Sequence, residues 1–167
     1  MTSQKADHTA PARPALEFAF GIDLTLEPPV ILGGGTADAV PAATAIVQVA
    51  DGRIDGPRLR GRVIPRSGGD WARVRSDGVL EFNARYLLEA EDGTVIALRS
   101  RGYRWGPPEV MLALARGEPA DPTSYYMRIT PTFEVRPGPH EWLARHVFLG
   151  TGRKTADGNH IDYHVVA

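Results

Sequence analysis

Three observations predict an all-β chain, an antiparallel β-barrel of about eight strands, lipocalin-like in outline, with one or two short helices closing an end. Asp-Gly pairs recur at Asp51-Gly52, Asp55-Gly56, Asp77-Gly78, Asp92-Gly93 and Asp157-Gly158. The segments between them are short and rich in β-branched and aromatic residues. Only one stretch has helical spacing of any length. Asp-Gly suits tight hairpins because the central residues need positive φ, which Gly adopts freely and Asp tolerates better than most residues.

Taken in order, the strand candidates are Leu16–Leu26, Ala43–Val49, Leu59–Ile64, the hairpin Leu80–Tyr103, Tyr125–Val135, Arg145–Thr151 and His160–Val166. A two-residue Asp92-Gly93 loop sets Leu88 opposite Ala97, Tyr86 opposite Arg99, Phe82 opposite Tyr103, Leu87 opposite Leu98 and Arg85 opposite Ser100. Each face of that hairpin then mixes apolar and polar groups, as a barrel with a partly polar lumen would require. Pro107-Pro108-Glu109 followed by Val110, Leu112 and Leu114 predicts a short helix ended by Gly117, and a second helical turn is expected near Glu141–Leu143.

The chain has 167 residues and a mass of 18.1 kDa, enough for one domain with a substantial core. Residues 1–14 are small and polar and read as a flexible tail, leaving 15–167 as a single barrel domain. With 19 Lys+Arg against 20 Asp+Glu, no global field draws the protein to nucleic acid or to a membrane, so a small-molecule ligand is the expected partner. The absence of cysteine excludes disulfides, thiolate metal sites and a Cys nucleophile. Neither a secretory leader nor a membrane-length apolar run is visible, which gives a cytoplasmic expectation. Pairing through edge strands or a barrel seam leaves a homo-oligomer open.

Several motifs occur together in order: Gly56-Pro57-Arg58-Leu59-Arg60-Gly61, Gly68-Gly69-Asp70-Trp71, Asp77-Gly78, Ala84-Arg85-Tyr86 and Asp92-Gly93. Gly117, Asp121-Pro122, Tyr125-Tyr126-Met127-Arg128 and Trp142-Leu143 follow. In this series the chain from Leu16 onward resembles the bacterial and fungal family catalogued as domain of unknown function 3237. The resemblance implies a small, cofactor-free antiparallel barrel with no settled family-wide activity. Two positions depart from the family's habit: Asn83 stands where it tends to carry Asp, and Ala42-Ala43 where it tends to carry Gly-Arg. An acid/base role at position 83 is thereby weakened, since an amide does not exchange a proton as a carboxylate does.

Asp70 is the expected acid or base, with Trp71 a wall that desolvates it; a turn cap and a core indole are the structural alternatives. Arg85 is expected to hold a substrate carboxylate or enolate oxygen with Asn83 beside it, or else to pair with Asp70 or Asp77 and lock the barrel. Tyr126 and Arg128 share a face that either binds an oxyanion or is solvated exterior, and Tyr103 is a further candidate ligand wall. His146 is the histidine expected to face the interior as a proton shuttle, with a structural role as its alternative. His160, Asp162 and His164 alternate along the last strand, but its terminal position favours a surface over a metal site. Gly33-Gly34-Gly35 lacks the residues of a phosphate loop and reads as a mobile loop, and Arg101-Gly102-Tyr103-Arg104-Trp105 without net positive charge does not make a nucleic-acid site.

These readings converge on a cofactor-independent acid/base enzyme, of isomerase, lyase, hydratase or cyclase type, acting on a small oxygenated, partly apolar metabolite. Catalysis is expected from Asp70, Arg85 and His146, and substrate binding from Trp71, Asn83, Tyr103, Tyr126 and Arg128, with no metal. The alternatives are a non-catalytic binding or carrier barrel and a scaffold subunit.

Overall fold

A computed structural model describes residues 13–32 and 43–167. The strands are β1 (Leu16–Leu26), β2 (Val30–Leu32), β3 (Ala43–Asp55), β4 (Gly61–Val63), β5 (Gly69–Val74), β6 (Leu80–Ala90), β7 (Val95–Trp105), β8 (Tyr126–Val135), β9 (Phe148–Lys154) and β10 (Gly158–Val166). One helix, α1 (Pro108–Ala115), joins β7 to β8, and 3-10 turns occupy Pro122–Ser124 and Glu141–Arg145. The expected tail, the Gly33-Gly34-Gly35 loop and Ala42 lie, apart from the tail's last residues, outside the described residues.

The strands form one antiparallel sheet in the order β1-β10-β9-β8-β7-β6-β4-β3-β2, and pairing of β1 with β3 closes it. The result is a closed eight-strand barrel with two extra strands. Both extras arise where one ring position is filled by two collinear segments. β1 and β2, interrupted at Pro28-Pro29, lie along the same side of β3, and β4 and β5 share the gap between β3 and β6. The interruption follows from the prolines, which cannot donate to the ladder.

The β6–β7 hairpin corrects the expected register. Gly93 N–H donates to Ala90 O at 2.8 Å and Ala90 N–H to Thr94 O at 2.9 Å, so the loop is the three residues Glu91-Asp92-Gly93, with Gly93 at φ 80°. A three-residue loop ending in a left-handed Gly shifts pairing by one relative to a two-residue turn. Leu88 therefore faces Ile96, Tyr86 faces Leu98, Ala84 faces Ser100 and Phe82 faces Gly102. Residues of like parity share a face, so the faces separate more cleanly than expected. Leu80, Phe82, Ala84, Tyr86 and Leu88 turn inward, while Glu81, Asn83, Arg85 and Glu89 turn outward. Closure, not mixed faces, is what makes the barrel.

The two ends differ. At one, Phe20, Phe133, Phe148 and Tyr163 form a buried aromatic cluster, with Phe133 and Phe148 centroids 5.0 Å apart and Phe20 and Tyr163 5.2 Å apart. The Glu141–Arg145 turn lies against it: Leu143 is buried, Trp142 packs on Phe148 at 5.6 Å, and the Arg58 guanidinium lies 4.1 Å from the centroid of the Trp142 ring. Those contacts stopper that end with apolar surface. At the other end α1 contributes Leu114 to the lining of an open cavity.

The register carries a test. Leu88→Ala should lower the unfolding free energy by about 2–5 kcal/mol in urea titration, because Leu88 is wholly buried in the lumen. A loss below about 1 kcal/mol would contradict its inward placement.

Candidate functional site

The open half of the barrel holds a cavity of about 670 Å³. Its walls are mainly aliphatic, from residues such as Val47, Ala72, Val74, Leu80, Met127 and Ile129. Into this apolar surround the strands turn Asp70 from β5, Tyr86 from β6, Ser100 and Arg104 from β7, Lys154 from β9 and Asn159 from β10. Asp70 pairs with Ala84, which pairs with Ser100, so carboxyl and hydroxyl lie at one level; Arg104 pairs with Leu80 and Met127, a level nearer the mouth.

Asp70 owes its orientation to a break in the ladder. The β5–β6 pairing runs through Asp70 with Ala84 and resumes at Arg73 with Glu81; between them the Asn83 N–H donates to Asp70 Oδ1 at 2.7 Å. The carboxyl is thus pinned by a backbone donor while its surroundings are largely apolar. Burial outweighs that hydrogen bond and the field of Arg104, and raises its pKa from 3.8 to about 6.

The remaining polar groups are held from several strands. Burial lowers the Arg104 pKa, opposed by the electrostatic influence of Tyr125 and Asp70, and its buried Nε has no hydrogen-bond partner among the described residues. Burial likewise lowers the Lys154 pKa, helped by the field of Arg104. Lys154 N–H donates to the Tyr125 hydroxyl at 2.8 Å, which ties the end of β9 to the start of β8. Below Asp70, burial pushes the Tyr163 phenol up to about 12 and the Tyr86 phenol well above its usual range, so both are neutral hydrogen-bonding groups. Tyr163 has no hydroxyl partner within 3.5 Å among the described residues, although Tyr86 and Ser100 lie close enough to influence its proton.

Of the eight side chains expected to catalyse or to bind substrate, Asp70 alone lines the cavity among the described residues. Trp71, next along β5, points outward and is 46% exposed. Arg85 and Asn83 are exposed on the outer face of β6; the expected inward Arg85 paired with an aspartate is therefore corrected, because Tyr86 takes the inward position. Asn83 serves through its backbone, not its amide. Tyr103 is 50% exposed; Tyr126 is 39% exposed, stacks on Trp105 at 5.5 Å and has the Arg128 guanidinium 5.2 Å from its ring centroid, all outside the barrel. His146 does not face the interior. It lies between the Glu141–Arg145 turn and β9, exposed, with Nδ1 donating to Trp142 O at 2.7 Å. His160, Asp162 and His164 share the outer face of β10, and His160 bridges Asp23 at 2.5 Å and Asp162 at 3.0 Å. Among the described residues no helix is long and apolar enough to cross a membrane.

Sequence reasoning missed Arg104, Lys154, Ser100, Asn159 and Tyr163. For Ser100 and Arg104 the signal was present: the parity of Ile96 and Leu98 carries them inward once Gly93 is placed in a three-residue loop. Lys154 and Asn159 were hidden because strands β9 and β10 extend further than the apolar pattern suggests.

Fold and site together define a closed antiparallel barrel with one end stoppered and a polar-floored cavity at the other. The chain belongs to the family described as Protein of unknown function (DUF3237), which it matches over residues 14–166. A UPF0311 protein of Rhodopseudomonas palustris is 36% identical over 121 residues, covering 72% of this chain and 78% of that protein. Among solved structures, a conserved protein of unknown function from Rhodopseudomonas palustris has a TM-score of 0.85 at 30% identity, covering 95% of this chain and all 100% of that one. A beta-barrel like protein from Acinetobacter baumannii has a TM-score of 0.79 at 32% identity, covering 96% and 100%. A structure described as an enzyme from Penicillium herquei has a TM-score of 0.68 at 24% identity, covering 95% and 98%; that likeness is one of fold.

The raised Asp70 pKa has a consequence for stability. Ionising Asp70 is harder in the folded state than in the unfolded one, so its charge destabilises the native protein increasingly from pH 4 to about 6 and by a constant amount above. Asp70→Asn should accordingly match wild type near pH 4 and exceed it at pH 8, by up to about 3 kcal/mol in urea titrations. Equal stabilities at both pH values would show that the carboxyl is not desolvated.

Proposed function

We propose that the barrel is an acid/base enzyme that moves a proton next to a carbonyl in a small oxygenated, partly apolar molecule, using the side chains of its cavity. The observation that carries this reading is Asp70: a carboxyl with a pKa of about 6, fixed by one backbone hydrogen bond, at the polar level of an otherwise aliphatic cavity. A base of that strength is ionised at neutral pH yet returns its proton readily. In the ionised form Asp70 takes a proton from the carbon beside the carbonyl; the C–H electron pair becomes the C=C bond of an enolate and the carbonyl π pair moves to the oxygen. Arg104 opposes the resulting oxyanion, in a medium where water screens it little. Return of the proton to another carbon gives an isomer; loss of a β-substituent gives elimination; attack on a second carbonyl gives ring closure.

In this scheme Arg104 takes the oxyanion role that the sequence assigned to Arg85, and no inward histidine is needed. The fold neighbour described as an enzyme is compatible with this reading, whose support is the environment of Asp70. A second reading, a carrier for an apolar molecule, draws on the aliphatic walls of the same cavity.

The two separate on solvent-exchange measurements. In D₂O, the protein should accelerate deuteration of the methylene beside the ketone in an aryl ketone panel that includes 4-oxo-4-phenylbutanoate, followed by NMR. The rate should rise through pH 6 and level off as Asp70 ionises, and Asp70→Asn should lower it by about 10²-fold or more. Binding without acceleration, or the same rate in both proteins, would favour the carrier.

A further inference from the structure

The cavity is unevenly charged, and that unevenness bears on the ligand. Its interior carries two cations, Arg104 and Lys154, against the single carboxyl of Asp70. Neither cation has a side-chain carboxylate partner within 4.0 Å among the described residues, whereas the exterior arginines Arg62, Arg66, Arg75, Arg99, Arg116 and Arg145 each have one. Among the described residues, the only polar contact of either inward residue outside the strand ladder is backbone Lys154 N–H to the Tyr125 hydroxyl. Buried guanidinium groups are costly without an anion.

Two other carboxylates reach the lining, and both belong to the rim. Glu27 is bound to Arg66 at 3.0 Å, and Asp157 is exposed in the β9–β10 turn, where solvent screens it. The cation excess is therefore a property of the interior. Lys154 stands directly across from Asn159, whose amide oxygen is buried without a partner among the described residues, so donors and an acceptor border the same space.

Resting on the acid/base reading of this cavity, we infer that its ligand is an organic monoanion with an apolar body. Its anionic oxygen sits between Arg104 and Lys154, and its hydrocarbon part lies along the aliphatic wall toward Asp70. Recognition of this kind fits a carboxylate or an ionised enol or phenol; the shared chemistry is one negative oxygen centre on a body of aromatic or alkyl character. The charge is present before reaction, which distinguishes this from the transient oxyanion of the proton transfer.

The probes are 2-naphthoate and its neutral isostere 2-naphthamide, neither of which has an exchangeable α-proton, titrated calorimetrically into the whole protein at pH 8. Naphthoate should bind at least about tenfold more tightly than naphthamide, and 2-naphthol at a pH that ionises it should show whether a phenolate serves as well as a carboxylate. Arg104→Met should abolish the preference. Lys154→Met, at a half-buried position where folding is less at risk, should reduce it severalfold, and Asp70→Asn should tighten naphthoate by removing the one interior negative charge. Equal binding of the two isosteres, no naphthoate binding at low-millimolar concentration, or a preference that survives both cation variants would overturn the inference. Since naphthoate cannot undergo the proton exchange, an anion preference with no α-deuteration of ketones would remove the enzyme reading alone. Asp70-dependent deuteration without an anion preference would remove this inference alone.

Discussion

The pairing of β1 with the second half of β3 is the constraint on which everything else in the molecule depends. β3 is 13 residues long, and its first half is flanked by β2 and β5 while its second half is flanked by β1 and β4. A register shift between Thr25 and Leu26 marks an irregularity in the β1–β3 ladder, which continues to Leu26 opposite Val49. That pairing turns a meander into a tube, so the sheet needs no free edge along most of its circumference. A tube has an inside, and an inside lowers the effective dielectric around any charge it contains.

The consequences fall differently on the two halves of the tube. One half is filled by aromatic rings and capped by Trp142 and Arg58. The other half is lined by smaller residues, among them Ala72 and Ala84, which leave the space that Asp70 faces. Asp70 is raised toward neutrality for that reason, and the Asn83 N–H, freed from the ladder, keeps it aimed inward. Asn83 illustrates how a position can matter through its backbone while its side chain points to solvent.

Much of the fold was legible in the sequence. Leu16–Leu26 is a strand with the expected bounds, the helix after Pro107 and the turn at Glu141 are where the prolines and apolar spacing placed them, and closure into a barrel follows. β2 and β5 escaped, because Val30–Leu32 is only three residues beyond a proline pair and Gly68-Gly69 reads as loop although both glycines lie against neighbouring backbone. The site was much less legible. In a barrel, whether a residue is wall or exterior is decided by parity, and the single extra residue in the Glu91-Asp92-Gly93 loop shifts the pairing of an entire strand by one. Motif residues such as Trp71, Arg85, Tyr103, Tyr126 and Arg128 therefore share the outer surface, while their even-numbered or odd-numbered neighbours line the cavity. His146 was misplaced for a different reason: β9 begins at Phe148, two residues after it.

Function in this architecture comes down to how few polar groups a largely aliphatic cavity admits and how strongly it perturbs them. A carboxyl, two cations and the neutral phenol of Tyr86 line one open cavity, the composition on which the proposed acid/base reading draws, and Asp70 is the group whose environment departs most from water. The most direct measurement is the titration of Asp70 itself, by NMR of protein labelled with ¹³C at the aspartate carboxyls, with Asp70→Asn used to assign its resonance. A midpoint near 6 is the predicted result. A midpoint near 3.8, that of a carboxyl in water, would contradict the account.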